Sequence, residues 1–168
     1  MADIEPELDA VNHGRNFSNG KTAFNDAQCI RCHRMGTEGG SIGPELSALA
    51  SKYTKRDILE SMLEPSKVIS EQFQNMTIVK KSGDPETGRI VDEDENHIVI
   101  QPNLLARDRV SIQKSDVAER RPSKVSPMPD GLLNQFSKDE ILDLLAYLIS
   151  GGKGSAENFK PLQSAAKE

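Results

Sequence analysis

A chain of 168 residues with 36% hydrophobic and only 4% aromatic side chains can build one modest core, and it reads as one domain carrying an insertion. A mean hydropathy of −0.54 and the lack of any apolar stretch of about 18 residues exclude a membrane-spanning helix. A net charge of −5 argues against a nucleic-acid binder, and 28% charged residues without a dominant repeat argue against a wholly disordered chain.

The first ten residues are acidic (Asp3, Glu5, Glu7, Asp9) and read as an irregular, solvated lead-in. Met1 to Pro6 show neither the basic nor the apolar region of a signal peptide. A short helix is expected over 15–28, with Phe17, Gly20 and Phe24 near one side. Residues 33–52 are broken by Gly36, Gly39, Gly40, Gly43 and Pro44 and read as loop. A helix is expected at 54–63, capped by Thr54, striped by Ile58, Leu59, Met62 and Leu63, and stopped by Pro65.

The apolar period then changes from helical spacing to alternation. Five short strands are expected at 72–81, 88–93, 96–101, 108–112 and 115–119, separated by turn signals such as Ser82-Gly83-Asp84-Pro85 and Pro102-Asn103. They make a small antiparallel β unit inside an otherwise helical chain. A proline-punctuated loop follows over 121–136. The last helix is the clearest element: Ser137 and Glu140 form a capping box, Ile141, Leu144, Leu145, Leu148 and Ile149 follow helical spacing, and Gly151 ends it. Residues 152–168 read as a polar tail.

The two cysteines, Cys29 and Cys32, are followed at once by His33. Two cysteines make no disulfide framework, and Cys-x-x-Cys-His is the attachment motif of c-type haem. Two thiols one helical turn apart can each join one vinyl group at the porphyrin edge, and the next side chain can place a nitrogen on the iron. A structural zinc site would need a second ligand pair, and His13 and His97 are isolated. A redox dithiol would need a βαβ context that the pattern lacks.

For the opposite face of the iron the chain offers Met1, Met35, Met62, Met76 and Met128, with His13 in the entry segment and His97 in the β unit as the bis-histidine options. Met1 is terminal, and Met35 is too near His33 in sequence to reach across the ring. Met62 and Met76 sit where core packing is the common role. Met128 lies between Pro127 and Pro129, in a stiffened loop ahead of a helix, and is read as the axial thioether. Arg120, Arg121 and Lys124 lead into that loop. They read either as partners of the haem propionates or, more simply, as a solvated basic patch facing Asp92-Glu93-Asp94-Glu95.

On these residues the chain resembles a class I cytochrome c over residues 11–63 and 121–150. The resemblance implies a mainly α, cytochrome c-like helical fold around one covalently bound haem, with the small β unit inserted at about 70–120. It implies a haem-attachment half at 11–69, an axial methionine loop and C-terminal helix at 121–151, and a tail at 152–168, all within a single domain spanning 1–168. Gly20 and Phe24 resemble the positions at which the first helix packs on the last, with Tyr147 facing them. A glycine there lets two backbones approach closely. Gly43-Pro44 resembles the segment whose Pro44 carbonyl accepts a hydrogen bond from the second nitrogen of His33.

More narrowly, four stretches are similar to haem-binding domains at the C-terminus of large exported dehydrogenase-like proteins of Planctomycetes and Verrucomicrobia. They are Gly43-Pro44-Glu45-Leu46, Leu63-Glu64-Pro65-Ser66-Lys67, Glu119-Arg120-Arg121-Pro122-Ser123 and Met128-Pro129-Asp130-Gly131-Leu132. Ninety-five positions separate His33 from Met128, more than an ordinary class I spacing, and the β unit accounts for the excess.

The expected function is electron transfer through a His/Met-ligated haem, without catalysis by this chain. The expected partner is a redox protein, or a dehydrogenase to which the domain is fused. The chain is read as the mature segment of an exported protein, periplasmic or otherwise outside the cytoplasm, and as a monomer or homodimer. A haem-based sensor with a displaceable Met128, and a purely structural haem module, are the alternatives.

Overall fold

The computed structural model describes residues 4–162 and divides into two compact units. The first runs up to Glu64 and resumes at Asp130; the second is Pro65–Pro129.

In the first unit, α1 (Phe17–Asp26) and α4 (Lys138–Ile149) pack against each other, α2 (Cys29–Cys32) is a single turn, and α3 (Lys55–Leu63) completes the helical set. Thr54 and Ser137 each close a full capping box, with Asp57 and Glu140 as the reciprocal partners. The apolar stripe of α4 is wide, so Ile141 through Leu148 are all buried. The core it anchors includes Phe24, Leu59, Leu142, Leu144 and Leu145. A two-stranded hairpin, β1 (Arg34–Met35) and β2 (Glu38–Gly39), interrupts the expected loop after His33.

The two ends of the chain depart from expectation. The acidic lead-in is a 3-10 helix, Glu5–Asn12, with Val11 wholly buried. Part of the expected tail is built into the fold. Asn158 donates from Nδ2 to the Val11 carbonyl at 2.8 Å and accepts from Arg15 N at 3.0 Å. Phe159 packs edge-on against Phe17, their centroids 5.2 Å apart. These pairings join residues more than 140 positions apart, which no local pattern reveals. The remainder of the expected tail, 163–168, lies outside the described residues.

The second unit carries five antiparallel strands: β3 (Met76–Lys80), β4 (Pro85–Glu93), β5 (His97–Gln101), β6 (Val110–Gln113) and β7 (Val117–Pro122). Their order is β6-β5-β4-β3-β7, so the two edge strands are consecutive in sequence. A flat five-stranded sheet would hold its edges about 19 Å apart. Only the 3-10 turn Lys114–Asp116 joins them, and its four Cα steps span at most about 14 Å. The sheet therefore curls on itself. Glu93 fastens the seam, accepting from Lys114 at 3.0 Å and from Arg120 at 3.1 Å.

Inside the curl, Ile78, Ile98, Ile100 and Ile112 form a closed apolar cluster. Truncating its centre, Ile100→Ala, is expected to cost about 3 kcal/mol, because the wholly buried side chain leaves a cavity that a curled sheet cannot collapse. Chemical denaturation followed by far-ultraviolet circular dichroism checks this; a loss below about 1 kcal/mol would mean the cluster relaxes freely.

The expectation of a mainly α chain with an inserted β unit is only loosely met in its helical part. The molecule is 35% helical and 21% strand, and among the described residues the second unit contains no α-helix. The helical reading holds for the first unit only.

Candidate functional site

The site is built outward from the crossing of α1 and α4. A side-chain carbon at Gly20 would fall on the Asp143 carbonyl oxygen and lie 2.8 Å from Tyr147 Cβ. Only glycine permits this approach. The contact lets Tyr147 pack on both Phe24 and Phe17, each ring pair 5.5 Å apart.

Beside it, Asp143 is a carboxylate only 3% exposed. It accepts from Arg15 Nε at 2.9 Å, from Asn16 N at 3.0 Å and from Asn19 Nδ2 at 3.3 Å. A buried charge so paired is tolerable, and it also fixes the first turn of α1.

α1 stops at Asp26. Gln28 takes a left-handed turn, φ +61°, and α2 starts at once with Cys29. One turn brings Cys29 and Cys32 to the same side, both half-buried and neither disulfide-bonded. Burial pushes the Cys29 thiol up to about 11, so it is protonated at neutral pH.

The chain then wraps back over α2, and its backbone satisfies the open end of that turn. Gly40 N donates to Ile30 O at 2.9 Å and Gly43 N to Cys32 O at 2.8 Å. This wrap delivers Pro44. His33 donates from Nδ1 to the Pro44 carbonyl at 2.8 Å. A carbonyl can only accept, so the proton is fixed on Nδ1 and Nε2 keeps its lone pair. Burial lowers the pKa of His33 from its ordinary value, and the bond to Pro44 partly opposes the fall.

The face of the ring is set by Gly43. A Cβ there would lie 2.6 Å from His33 Cε1 and 2.9 Å from Nδ1. Sequence reading found Pro44 but passed over this role of Gly43, because a glycine before a proline is usually only a turn signal. A groove of about 310 Å³ beside Cys29 is lined by Ala27, Gln28, Leu132 and Asn134. It brings the residues ahead of the cysteines to those that follow Pro129.

The remaining sequence candidates fall as follows. Met35 is buried, its sulfur 3.8 Å from Ser47 Oγ. Met62 is buried on α3, and Met76 packs against the isoleucine cluster of the second unit. His97 lies on β5 with Nδ1 3.5 Å from Asp94, and His13 caps the first 3-10 helix. Met128 is half-buried in the last stretch of the second unit. Arg120 and Arg121 engage carboxylates of their own unit, Glu93 and Glu119. Arg120 thus meets one member of the acidic run that the basic-patch reading named.

The cytochrome c family profile matches residues 17–100, half of the chain. The chain belongs to the cytochrome c family. A cytochrome c carries haem c covalently and moves electrons without catalysing a reaction of its own. No curated protein matches the chain. The donor set of this cytochrome fits that group: two adjacent thiols, an imidazole with Nε2 open, and a glycine that leaves the ring unobstructed.

Proposed function

We propose that this cytochrome transfers single electrons through a haem joined to Cys29 and Cys32, with His33 and Met128 on the two axial positions of the iron. The observation that carries the reading is the imidazole of His33, locked from one side by Pro44 and left open at Nε2. Haem c, when bound, supplies a metal that alternates between Fe(III) and Fe(II).

The chain's own residues do the rest. The two cysteine sulfurs make attachment permanent, so the carrier cannot lose its cofactor between donor and acceptor. His33, with its proton pinned on Nδ1, offers a more basic and fixed nitrogen. The thioether of Met128 is soft and favours the reduced metal, raising the potential relative to a second imidazole. Two tightly held ligands leave little to move when an electron arrives.

The two units serve as one cytochrome domain, with the β unit inserted between the attachment half and the C-terminal helix. The four quoted stretches support a place among the haem-binding domains of Planctomycetes and Verrucomicrobia. On that reading the domain works outside the cytoplasm, as part of an exported dehydrogenase or as its redox partner, through the small contacts usual for electron transfer.

Replacing the axial thioether tests the ligand set. In the loaded protein, Met128→Ala should abolish the weak sulfur-to-iron charge-transfer band of the oxidised form, lower the midpoint potential and let carbon monoxide bind the reduced form. An unchanged spectrum with no response to carbon monoxide would remove Met128 from the iron.

A further inference from the structure

The loop that carries Met128 has an unusual backbone economy. Over 125–129 the sequence is Val-Ser-Pro-Met-Pro. Prolines 127 and 129 have no N–H, so the stretch owns three backbone donors. Each is taken by a serine hydroxyl. Val125 N donates to Ser123 Oγ at 3.1 Å, Ser126 N to Ser66 Oγ at 3.1 Å, and Met128 N to Ser126 Oγ at 3.1 Å.

The chain of hydroxyls is itself anchored in the second unit. Ser123 is 5% exposed. Its N–H donates to Asn75 O at 2.8 Å, and its carbonyl accepts from Gln74 Nε2 at 2.9 Å. Asn75 stands directly before β3, and Ser123 directly after β7, the strand paired with it. Ser66 lies at the start of the same unit, sixty positions from Ser126. The loop therefore hangs from both chain crossings of the curled sheet, with fixed proline φ angles and no backbone donor left to water.

We infer that the β insertion is the mount of the sixth ligand, and that Ser126 and Ser66 are positioning residues which hold the Met128 backbone in place. This rests on the reading of Met128 as the axial thioether. It also assigns work to Ser66 and Ser123, which belong to two of the quoted stretches yet take no part in the attachment site. A surface loop with unsatisfied donors would sample many conformers and hand the sulfur to the iron only part of the time. A loop with every donor occupied holds the side chain at one height.

The test compares Ser126→Ala, Ser66→Ala and the hydroxyl-retaining Ser126→Thr in the loaded protein, with Met128→Ala alongside. Removing one acceptor from a part-buried N–H should speed carbon monoxide binding to the reduced form about fivefold to tenfold. The charge-transfer band should survive but weaken, and the potential should fall. Ser126→Thr should restore the parent values.

Alanine variants that bind carbon monoxide at the parental rate, while Met128→Ala abolishes the band, would overturn the mount and leave the ligand intact. An unaffected band in Met128→Ala would instead overturn the ligand assignment beneath it. Parental thermal stability in Ser126→Ala together with faster ligand entry would separate positioning from a general loss of fold.

Discussion

Gly20→Ala is expected to destabilise the protein by about 3 kcal/mol, toward the upper end of overpacking costs. Measured helix propensity points the other way, since alanine in a helix interior is favoured over glycine by about 1 kcal/mol. Sterics decide the sign. The added methyl would land on the Asp143 carbonyl oxygen and 2.8 Å from Tyr147 Cβ, and both partners lie in the part of α4 that is buried without interruption from Ile141 to Leu148.

Neither neighbour is the free end of a flexible side chain, so α1 must move away from α4. That motion would open the stacking of Tyr147 on Phe24 and Phe17 and stretch the bonds from Arg15, Asn16 and Asn19 to Asp143. Total stabilities of domains are about 5–15 kcal/mol, so the loss is a large fraction of the whole. Urea unfolding of the loaded protein, followed by circular dichroism, measures it. A stabilised Gly20→Ala would show that the helices repack freely and that the close approach is not required.

What the sequence disclosed depended on how local the cause was. The Ser137–Glu140 capping box was legible because its partners stand three residues apart, whereas at Thr54 only the cap was read and its reciprocal partner Asp57 came from the structure. The five strands were legible because alternation reports a half-buried surface residue by residue. Their ends shifted: β4 begins at Pro85 rather than 88, and β7 runs on to Pro122. The curl of the sheet was not legible, since it follows from which strands became edges. The pairing of Arg120 with Glu93, 27 positions away, was legible only as a basic patch facing the acidic run and not as a specific bond.

At the site, Cys29, Cys32 and His33 are a contiguous word and Pro44 follows from resemblance. Asp143, by contrast, sat unnoticed in the apolar run of α4. Its burial is paid for by Arg15 and Asn16 at the far end of the chain. The serine chain above Met128 escaped for the same reason, because Ser66 reaches Ser126 only through the fold.

With His33 on the iron as proposed, Gly43→Val should loosen the ring and move its acid detachment to higher pH. The ordinary histidine value is 6.5, and in the fold it is lowered because burial disfavours the imidazolium. The folded protein therefore binds fewer protons than the unfolded chain just below that value. The stability so contributed is present above pH 6.5 and is lost as pH falls through the lowered folded value. Coordination of a metal by Nε2 has the same sign, since the ligand must be neutral.

A valine at position 43 puts its Cβ 2.6 Å from His33 Cε1 and 2.9 Å from Nδ1, with two methyls beyond it. The ring must swing outward, which breaks the 2.8 Å bond to Pro44 and re-exposes the imidazole to water. Relieved of its burial, the ring regains an affinity for protons closer to the ordinary value. Losing the partner that orients a ligating histidine typically costs about tenfold to a hundredfold in metal affinity. On that proposed ligation, acid titration of the visible spectrum should show His33 leaving the iron at a higher pH in Gly43→Val than in the parent. Gly154→Ala, where an added carbon meets only ordinary contacts of 3.5–3.6 Å with Phe17, should leave the titration unmoved. Coincident titrations of parent and Gly43→Val would mean that the ring tolerates displacement and that the glycine sets only the course of the loop.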